Sequence, residues 1–196
     1  MLSRRSFIAG SAAGLATTGL ATGLPADAAP VLTDDGLYTQ SWFLQSFLEL
    51  ADDVQGAAQS GKRLAIMWEL RGCPYCKETH LVNFAKPEIE SYVKQHFEVL
   101  QLNIIGSREV TDFDGEKLTE KRFAQKYGVR GVPVFQFFPD SAAGLGKKAP
   151  REREVARGQG YIEPHPFLYM FRFVADRAYD KGAVLRLPES DKLSRP

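Results

Sequence analysis

Cysteine is almost absent from this sequence, since Cys73 and Cys76 are the only two among 196 residues. A disulfide framework of the kind that holds small secreted domains together needs more cysteines, so the fold must rest on an apolar core. Histidine is scarce as well, with only His80, His96 and His165. A closed zinc site needs four ligands, and no second paired motif accompanies the two cysteines. The usual pattern of a structural zinc site is therefore missing.

Net charge is also small, because 25 lysines and arginines stand against 24 aspartates and glutamates. A chain this balanced has no strong overall field to attract nucleic acid or an anionic membrane. We therefore expect neither among its partners. No internal repeat occurs, and the chain is long enough for one domain with a substantial core.

The first 28 residues are of low complexity and are typical of an export signal. Arg4 and Arg5 precede a mildly apolar run at 7–24, and small residues at 26–28 offer a cleavage site. The arginine pair resembles a twin-arginine signal, and an ordinary secretory signal is the alternative. The run is too short and too weakly apolar for a membrane anchor. We predict a periplasmic or otherwise exported protein that is soluble after cleavage.

Apolar periodicity in the rest of the chain alternates between the helical and the extended type. Helices are predicted at 37–59, 74–84, 86–97, 117–128 and 163–180, and strands at 63–70, 97–104, 132–138 and around 151–159. Parallel strands joined through helices and finished by an antiparallel hairpin give an α/β fold with a sheet covered on both faces. The predicted organisation is an N-terminal extension with a helix at 29–61, a domain at 62–182 and a polar tail at 183–196.

Three chemistries compete for the motif from Cys73 to Cys76: metal binding, a structural disulfide and redox exchange. A disulfide across so short a loop restrains little of the unfolded chain, and His80, one helical turn further on, completes at most half a metal site. A redox pair fits best, because Pro74 starts a helix whose free N–H groups and dipole favour a thiolate at Cys73. Such positions lower a cysteine pKa. Cys73 is therefore the predicted nucleophile and Cys76 the resolving thiol.

The sequence resembles the thioredoxin superfamily in more than its cysteines. In KYGVRGVPVFQFF, residues 126–138, a helix ends, a Gly-x-x-Gly turn follows and a proline opens a strand. The resemblance implies that Pro133 is a cis-proline opposite the dithiol, and that the backbone of Val132 binds an incoming peptide. It also implies a thioredoxin fold over the domain at 62–182, with a central mixed sheet of about four strands flanked by helices and an extra N-terminal helix. Gly160 matches the glycine before the last helix.

A closer likeness is to periplasmic SoxW-type thioredoxins associated with sulfur oxidation. Residues 46–80 and 102–133 carry it, including the DFDG insertion. This likeness implies a cofactor-free reductase of periplasmic proteins that a membrane electron-transfer protein recharges. Pro74 and Tyr75 also stand between the cysteines of glutaredoxins and some disulfide isomerases, and valine before the cis-proline is familiar from the oxidant DsbA. An oxidant or isomerase therefore stays open, as does a non-catalytic dithiol chaperone for copper or another metal.

Some positions depart from ordinary thioredoxins. The buried aspartate that assists the resolving thiol in that family falls near Met67 here, and a methionine cannot transfer protons. Glu69 is close enough in sequence to substitute, although an exposed carboxylate at a strand end is an equally good interpretation. Gly72 stands where a tryptophan usually precedes the first cysteine, and Trp68 is expected in the core.

Charged and titratable side chains near the dithiol are candidates for tuning it. Arg71 and Lys77 add positive charge beside the thiols, unless they are simply solvated. His80 should share a helix face with both cysteines, where packing alone is the alternative. Together with Glu69, these residues make up the predicted surroundings of the redox pair, without a metal.

An insertion at 106–117 follows the second strand and is expected to project toward the active-site edge, where it could contact the partner. Asp112, Asp114 and Glu116 lie in it, but the spacing lacks the other ligands of a calcium loop. Turn chemistry around Asp114 and Gly115 explains these residues. The sequence thus predicts no metal site in the insertion.

Overall fold

The structure is a computed structural model that describes residues 30–187, so the predicted signal at 1–28 and most of the tail lie outside the described residues. The first elements are β1 (Val31–Leu32), β2 (Tyr38–Thr39), α1 (Leu50–Gln59) and β3 (Arg63–Glu69). Next come α2 (Pro74–Glu78), a π-helical turn (Thr79–Asn83), α3 (Pro87–His96), β4 (Phe97–Asn103), β5 (Glu109–Thr111) and β6 (Lys117–Thr119). The chain continues with α4 (Glu120–Lys126), β7 (Val134–Phe137), β8 (Ala156–Gln159) and α5 (Pro164–Ala175).

The central sheet has four strands in the order β4-β3-β7-β8. β3 and β4 are parallel, whereas β7 is antiparallel to both β3 and β8. This arrangement confirms the predicted mixed sheet of four strands, although the third predicted strand does not continue the parallel pair. Within the described part of the chain, no helix has the length and apolar character needed to cross a membrane.

Residues of β3 alternate between two cores, one on each face of the sheet. The even-numbered residues 64–68 pack with α1 and α4, and the odd-numbered residues 65 and 67 pack with α3 and α5. Because side chains of a strand repeat with a period of two, Glu69 lies on the same face as Met67. The strand that leads to the dithiol therefore ends in a carboxylate that points into the protein, where it is fully buried.

The predicted helix at 37–59 is wrong in its first half, because α1 begins only at Leu50. Residues 40–48 instead run along the edge of β4, where the N–H of Leu44 donates to the carbonyl of Val99 at 2.8 Å. Leu48 has φ +64, outside the helical range, and Phe47 is 98 % exposed. Helical spacing misled the prediction because a loop laid across a sheet edge can bury apolar side chains at similar intervals.

Other boundaries also differ from the prediction. Residues 117–119 are a strand that pairs with β5, so the insertion forms an antiparallel hairpin and α4 begins at Glu120. The last helix ends at Ala175, since Arg177 has φ +52. The fourth strand begins only at Ala156, after a short 3-10 helix over Pro150–Arg153.

Candidate active site

Cys73 and Cys76 form a disulfide where β3 leads into α2. Pro74 is the first residue of α2, and Cys73 is its N-cap, whose Sγ accepts a hydrogen bond from the N–H of Cys76 at 3.1 Å. Cys73 is half-buried, whereas Cys76 is 3 % exposed. The geometry therefore makes Cys73 the sulfur that another molecule can reach, and it supplies a hydrogen-bond donor for a thiolate there.

Gly72 precedes the dithiol with φ +76, in the left-handed region. Nothing lies within 4 Å of the place where its Cβ would stand. The backbone conformation, and not a lack of space, therefore disfavours the tryptophan found there in ordinary thioredoxins. Trp68 is fully buried, as expected, and stacks on Phe123.

The peptide bond between Val132 and Pro133 is cis and lies beside the disulfide. The carbonyl oxygen of Val132 is 3.9 Å from Sγ of Cys73. The carbonyl of Pro133 accepts a hydrogen bond from the N–H of Gly160 at 2.8 Å, which holds this turn against the chain before α5. The two segments that resemble thioredoxins thus meet at the accessible sulfur.

Glu69 and His80 form a buried pair on the inner side of the dithiol. Nε2 of His80 lies 2.6 Å from Oε1 of Glu69, and neither side chain is exposed. Glu69 also lines a cavity together with Cys73 and Cys76. The carboxylate at the end of β3 is therefore a buried neighbour of the redox pair, and the alternative of an exposed strand-end carboxylate is wrong.

Two glutamine amides define the charge state of this pair. Nε2 of Gln40 approaches both Nδ1 of His80, at 3.2 Å, and the carbonyl of His80, at 3.5 Å. Because a carbonyl only accepts, the Gln40 amide donates, so Nδ1 accepts and Nε2 carries the ring proton. Nε2 of Gln101 donates to Oε2 of Glu69 at 2.6 Å and to the carbonyl of Tyr38 at 2.5 Å. Both oxygens of Glu69 accept hydrogen bonds, which describes a carboxylate beside a neutral imidazole.

His80 owes its position to the π-helical turn that follows α2. The N–H of Phe84 donates to the carbonyl of Thr79, five residues back, at 3.0 Å. This wider turn is anchored by Asn83, whose side chain donates to the carbonyl of Ile162 at 2.8 Å. Such single π turns are common at functional sites. Since both ring nitrogens of His80 already have partners, the ring is not available to complete a metal site with the two thiols.

The predicted cationic neighbours of the dithiol lie at the surface. Arg71 and Lys77 are exposed and line the cavity that contains the cysteines. Nζ of Lys77 stands 5.8 Å from the ring centre of Tyr38, and neither cation forms an ion pair with any residue between 30 and 187. Their effect on the thiols is therefore reduced by solvent and salt.

The acidic residues of the insertion pair with cations of the protein itself. Lys126 contacts Asp112 at 2.5 Å, Asp114 at 2.7 Å and Glu116 at 2.9 Å, and Arg153 contacts Asp112 and Asp114. Burial opposes ionisation of Asp114, but hydrogen bonds from Lys126 and Arg153 outweigh it and lower the pKa of Asp114 well below its usual range. Burial opposes the charge of Lys126 in the same way, yet its carboxylate partners raise the pKa of Lys126.

The insertion therefore divides into two parts. Its ion-paired part holds the β5–β6 hairpin against α4, while only residues 106–108 share a cavity with Arg71. That cavity is not the one that contains the cysteines, so the projection of the insertion toward the active-site edge stays a prediction. In residues 30–187, no three His, Cys, Asp or Glu side chains are grouped as a metal site would require.

Sequence reasoning missed Gln40 and Gln101 as members of the site. No motif points to a glutamine in an irregular segment, and the apolar spacing predicts a helix at Gln40. Its contact with His80 spans 40 residues of sequence and exists only because the extension crosses the edge of β4.

The chain belongs to the family described as the thioredoxin-like domain, which matches residues 50–175. A thioredoxin-fold protein from Helicobacter pylori superposes with a TM-score of 0.51 at 21% identity, over 68% of this chain and 84% of that one. A thioredoxin from Thermus thermophilus gives a TM-score of 0.50 at 20% identity, over 69% of this chain and 90% of that one. Both likenesses establish the fold alone. Comparison with curated proteins gives no match.

Proposed function

We propose that this protein is a periplasmic reductase that transfers electrons from its dithiol to disulfides of partner proteins. Family and site together support thiol-disulfide oxidoreductase activity in general. One observation supports the proposal most directly. Cys73 is accessible at the start of α2 while Cys76 is buried, and the pair lies beside the cis peptide bond of Val132 and Pro133.

The exchange proceeds in two balanced steps. In the first, the Cys73 thiolate attacks a partner disulfide, so that one Cys73–partner S–S bond forms, the partner S–S bond breaks and the leaving sulfur takes up a proton. In the second, Cys76 loses its proton and attacks Sγ of Cys73, which releases the other partner thiol. Two electrons pass to the partner, and the protein is left with the Cys73–Cys76 disulfide. We assign the buried Glu69 carboxylate, which lines the same cavity, as the acceptor of the Cys76 proton.

The buried carboxylate also supports the reducing direction. A negative charge held in a low dielectric disfavours a nearby thiolate, so it destabilises the reduced form of the pair relative to the disulfide. The strong oxidant DsbA has the opposite property, because its reduced form is stabilised. Arg71, Lys77 and the start of α2 act against Glu69, but the two cations are exposed and screened.

The proposed location and electron supply rest on the sequence. Arg4 and Arg5, followed by an apolar run and small residues, support export. A reductase outside the cytoplasm needs a reductant, and a dithiol-bearing membrane electron-transfer protein has the chemistry to reduce the Cys73–Cys76 disulfide. Likeness to SoxW-type thioredoxins supports the reducing direction.

The reduction potential of the purified protein tests the direction of transfer. Equilibration against glutathione or dithiothreitol buffers should give a value near that of thioredoxin, about −270 mV. A value near that of DsbA, about −120 mV, would make the protein an oxidant and reject the proposed direction.

Trapping of partners tests the exchange itself. Cys76→Ser should accumulate mixed disulfides with periplasmic proteins, because Cys73 can attack and nothing resolves the adduct. Cys73→Ser serves as the matched control and should form none, since Cys76 is almost entirely buried. If Cys76→Ser yields no adducts in cells that express it, disulfide exchange with proteins is not its function.

A further inference from the structure

A cavity of about 440 Å³ lies beside the dithiol, between the hairpin of β1 and β2 and the segment at 69–77. Leu32, Gly36 and Tyr38 line it from the hairpin, and the opposite lining includes Cys73 and Cys76. The odd-numbered residues 33–39 of the hairpin line a different cavity, since alternate residues of a strand face opposite sides. We call the cavity that contains the cysteines the hairpin groove. Its volume falls within the range of ligand sites, about 300 to 1,000 Å³.

The hairpin that forms one wall is tightly held. The N–H of Thr33 donates to the carbonyl of Leu37 at 2.8 Å, and the N–H of Gly36 donates to the carbonyl of Thr33 at 2.9 Å. Gly36 packs so closely on the stem of Arg71 that a Cβ there would come within 2.6 Å of Cδ of the arginine. The hairpin therefore packs against the stem of Arg71, and this side chain lines the groove.

Exposed charge in the groove is positive. Arg71 and Lys77 are its exposed cations, and Glu69 is the carboxylate among its lining residues. Glu69 is fully buried and accepts hydrogen bonds from His80 and Gln101. The groove therefore presents two exposed cations to an occupant.

An exposed apolar side chain accompanies these cations. Leu32 lines the same groove and is 58% exposed. A small free anion would leave it uncovered, whereas a polypeptide can cover apolar groups and pair with cations in the same groove.

We propose that the hairpin groove binds an extended segment of the partner protein that carries acidic and apolar residues next to the reactive cysteine. This inference rests on the proposed function, because the segment leads from the disulfide attacked by Cys73. It assigns the substrate class to proteins whose cysteines are flanked by negative charge, and it makes the N-terminal hairpin part of the recognition surface.

Three synthetic peptides test the assignment. Each has one cysteine in a mixed disulfide with a chromophoric thiol, flanked on both sides by alternating leucine and either glutamate, serine or lysine. The reduced protein is mixed with each peptide, and release of the chromophore gives the second-order rate constant. At low salt the glutamate peptide should react about fivefold faster than the serine peptide, and the lysine peptide more slowly. The difference should vanish near 1 M salt, where the Debye length is about 3 Å.

Charge-reversal variants locate the effect in the groove. Arg71→Glu and Lys77→Glu should each lower the ratio of the glutamate rate to the serine rate by about twofold to fivefold. Both rates are measured on the same variant, so a change in the reactivity of its thiol cancels in the ratio. Lys147→Glu makes the same change in net charge at an exposed site outside the groove and should leave the ratio as it is.

Two results would overturn the assignment while leaving disulfide reduction intact: equal rates for the three peptides at low salt, or a glutamate preference that Arg71→Glu and Lys77→Glu do not alter. If none of the three peptides releases the chromophore, the proposed function fails, and the groove assignment fails with it.

Discussion

Glu69 and His80 face each other at the end of β3, with 2.6 Å between Oε1 of the carboxylate and Nε2 of the ring and with neither side chain exposed. Hydrogen-bond donors from Gln40 and Gln101 complete the pair. The dithiol thus has a fixed buried negative charge beside it, and this feature can be tested without knowledge of the partner.

Replacement of Glu69 by glutamine should make the dithiol less reducing. The amide keeps the shape but removes the charge that disfavours a thiolate, so the reduced form gains stability. We expect the reduction potential to rise by about 30 mV or more, equivalent to about 1.4 kcal/mol for a two-electron couple. Glu90→Gln, which alters a partly buried carboxylate paired with Lys94 on α3, is the control and should leave the potential unchanged. An unchanged potential in Glu69→Gln would contradict the electrostatic role.

Gln40→Leu should destabilise the fold through His80. Without the amide, Nδ1 and the carbonyl of this buried histidine lose their donor, which costs about 1 to 3 kcal/mol in the free energy of unfolding. Gln45→Leu is a matched control in the same segment, because Gln45 is exposed, and it should change stability by less than about 0.5 kcal/mol. Urea unfolding of the oxidised proteins measures both. Equal effects of the two substitutions would show that the contact of Gln40 is not important.

Asp114→Asn should weaken the fold in a pH-dependent way. The folded pKa of Asp114 lies below its usual value, so its stabilising contribution is complete above an unfolded pKa of about 3.9 and is lost as the pH falls through the folded value. We expect the variant to be less stable by about 0.5 to 1 kcal/mol at pH 7, with the difference shrinking below about pH 4.

Asn at position 114 can still accept the N–H of Glu116 that Oδ1 of Asp114 accepts at 3.1 Å, so the turn is preserved. Asp34→Asn provides the control, since Asp34 is exposed and forms no ion pair in the described chain. Thermal unfolding from pH 2 to pH 8 gives the comparison. A difference between Asp114→Asn and the parent protein that stays constant down to pH 2 would refute the assigned origin.

Two glycine substitutions should have opposite effects on the stability of the fold. Gly72→Ala places a Cβ at φ +76, with nothing within 4 Å, and should cost about 1 to 2 kcal/mol through backbone strain alone. Gly56→Ala lies inside α1, again with nothing within 4 Å, and should stabilise the fold by about 0.5 to 1 kcal/mol. Denaturant midpoints check both, and a stabilising Gly72→Ala would show that the left-handed conformation is not required.

Much of the fold could be predicted because its signals are local. The apolar run of β3, the proline that starts α2 and the glycines that end helices are read within a few residues, and the structure confirms the four-stranded mixed sheet. The segment at 37–49 could not be predicted in the same way. The path of this segment depends on the hydrogen bond from Leu44 to Val99 of β4. These residues are far apart in sequence, and no local pattern indicates a contact between them.

The residues of the site also divide into those that local motifs predict and those that only the tertiary structure identifies. Cys73, Cys76, Val132 and Pro133 stood out from motifs, whereas the burial of Glu69 was undecided because a carboxylate at a strand end is more often exposed. Its partners His80 and Gln101 come from two separate parts of the chain, and Gln40 from a third part contacts His80. His80 reaches it because a π turn alters the phase of the helix, a change that the helical pattern of the sequence does not reveal.

By itself, the sequence determined the order of the strands and helices along most of the chain and the redox chemistry of its two cysteines, because each is specified by neighbouring residues. Only the tertiary structure places the Glu69 carboxylate beside those cysteines and the hairpin of β1 and β2 along the groove that contains them. Both require the extension to fold back onto the sheet, where Gln40 meets His80 and Gly36 meets Arg71. Contacts between distant segments depend on the packing of the whole chain, so the free energy that selects them is not contained in any short stretch of residues.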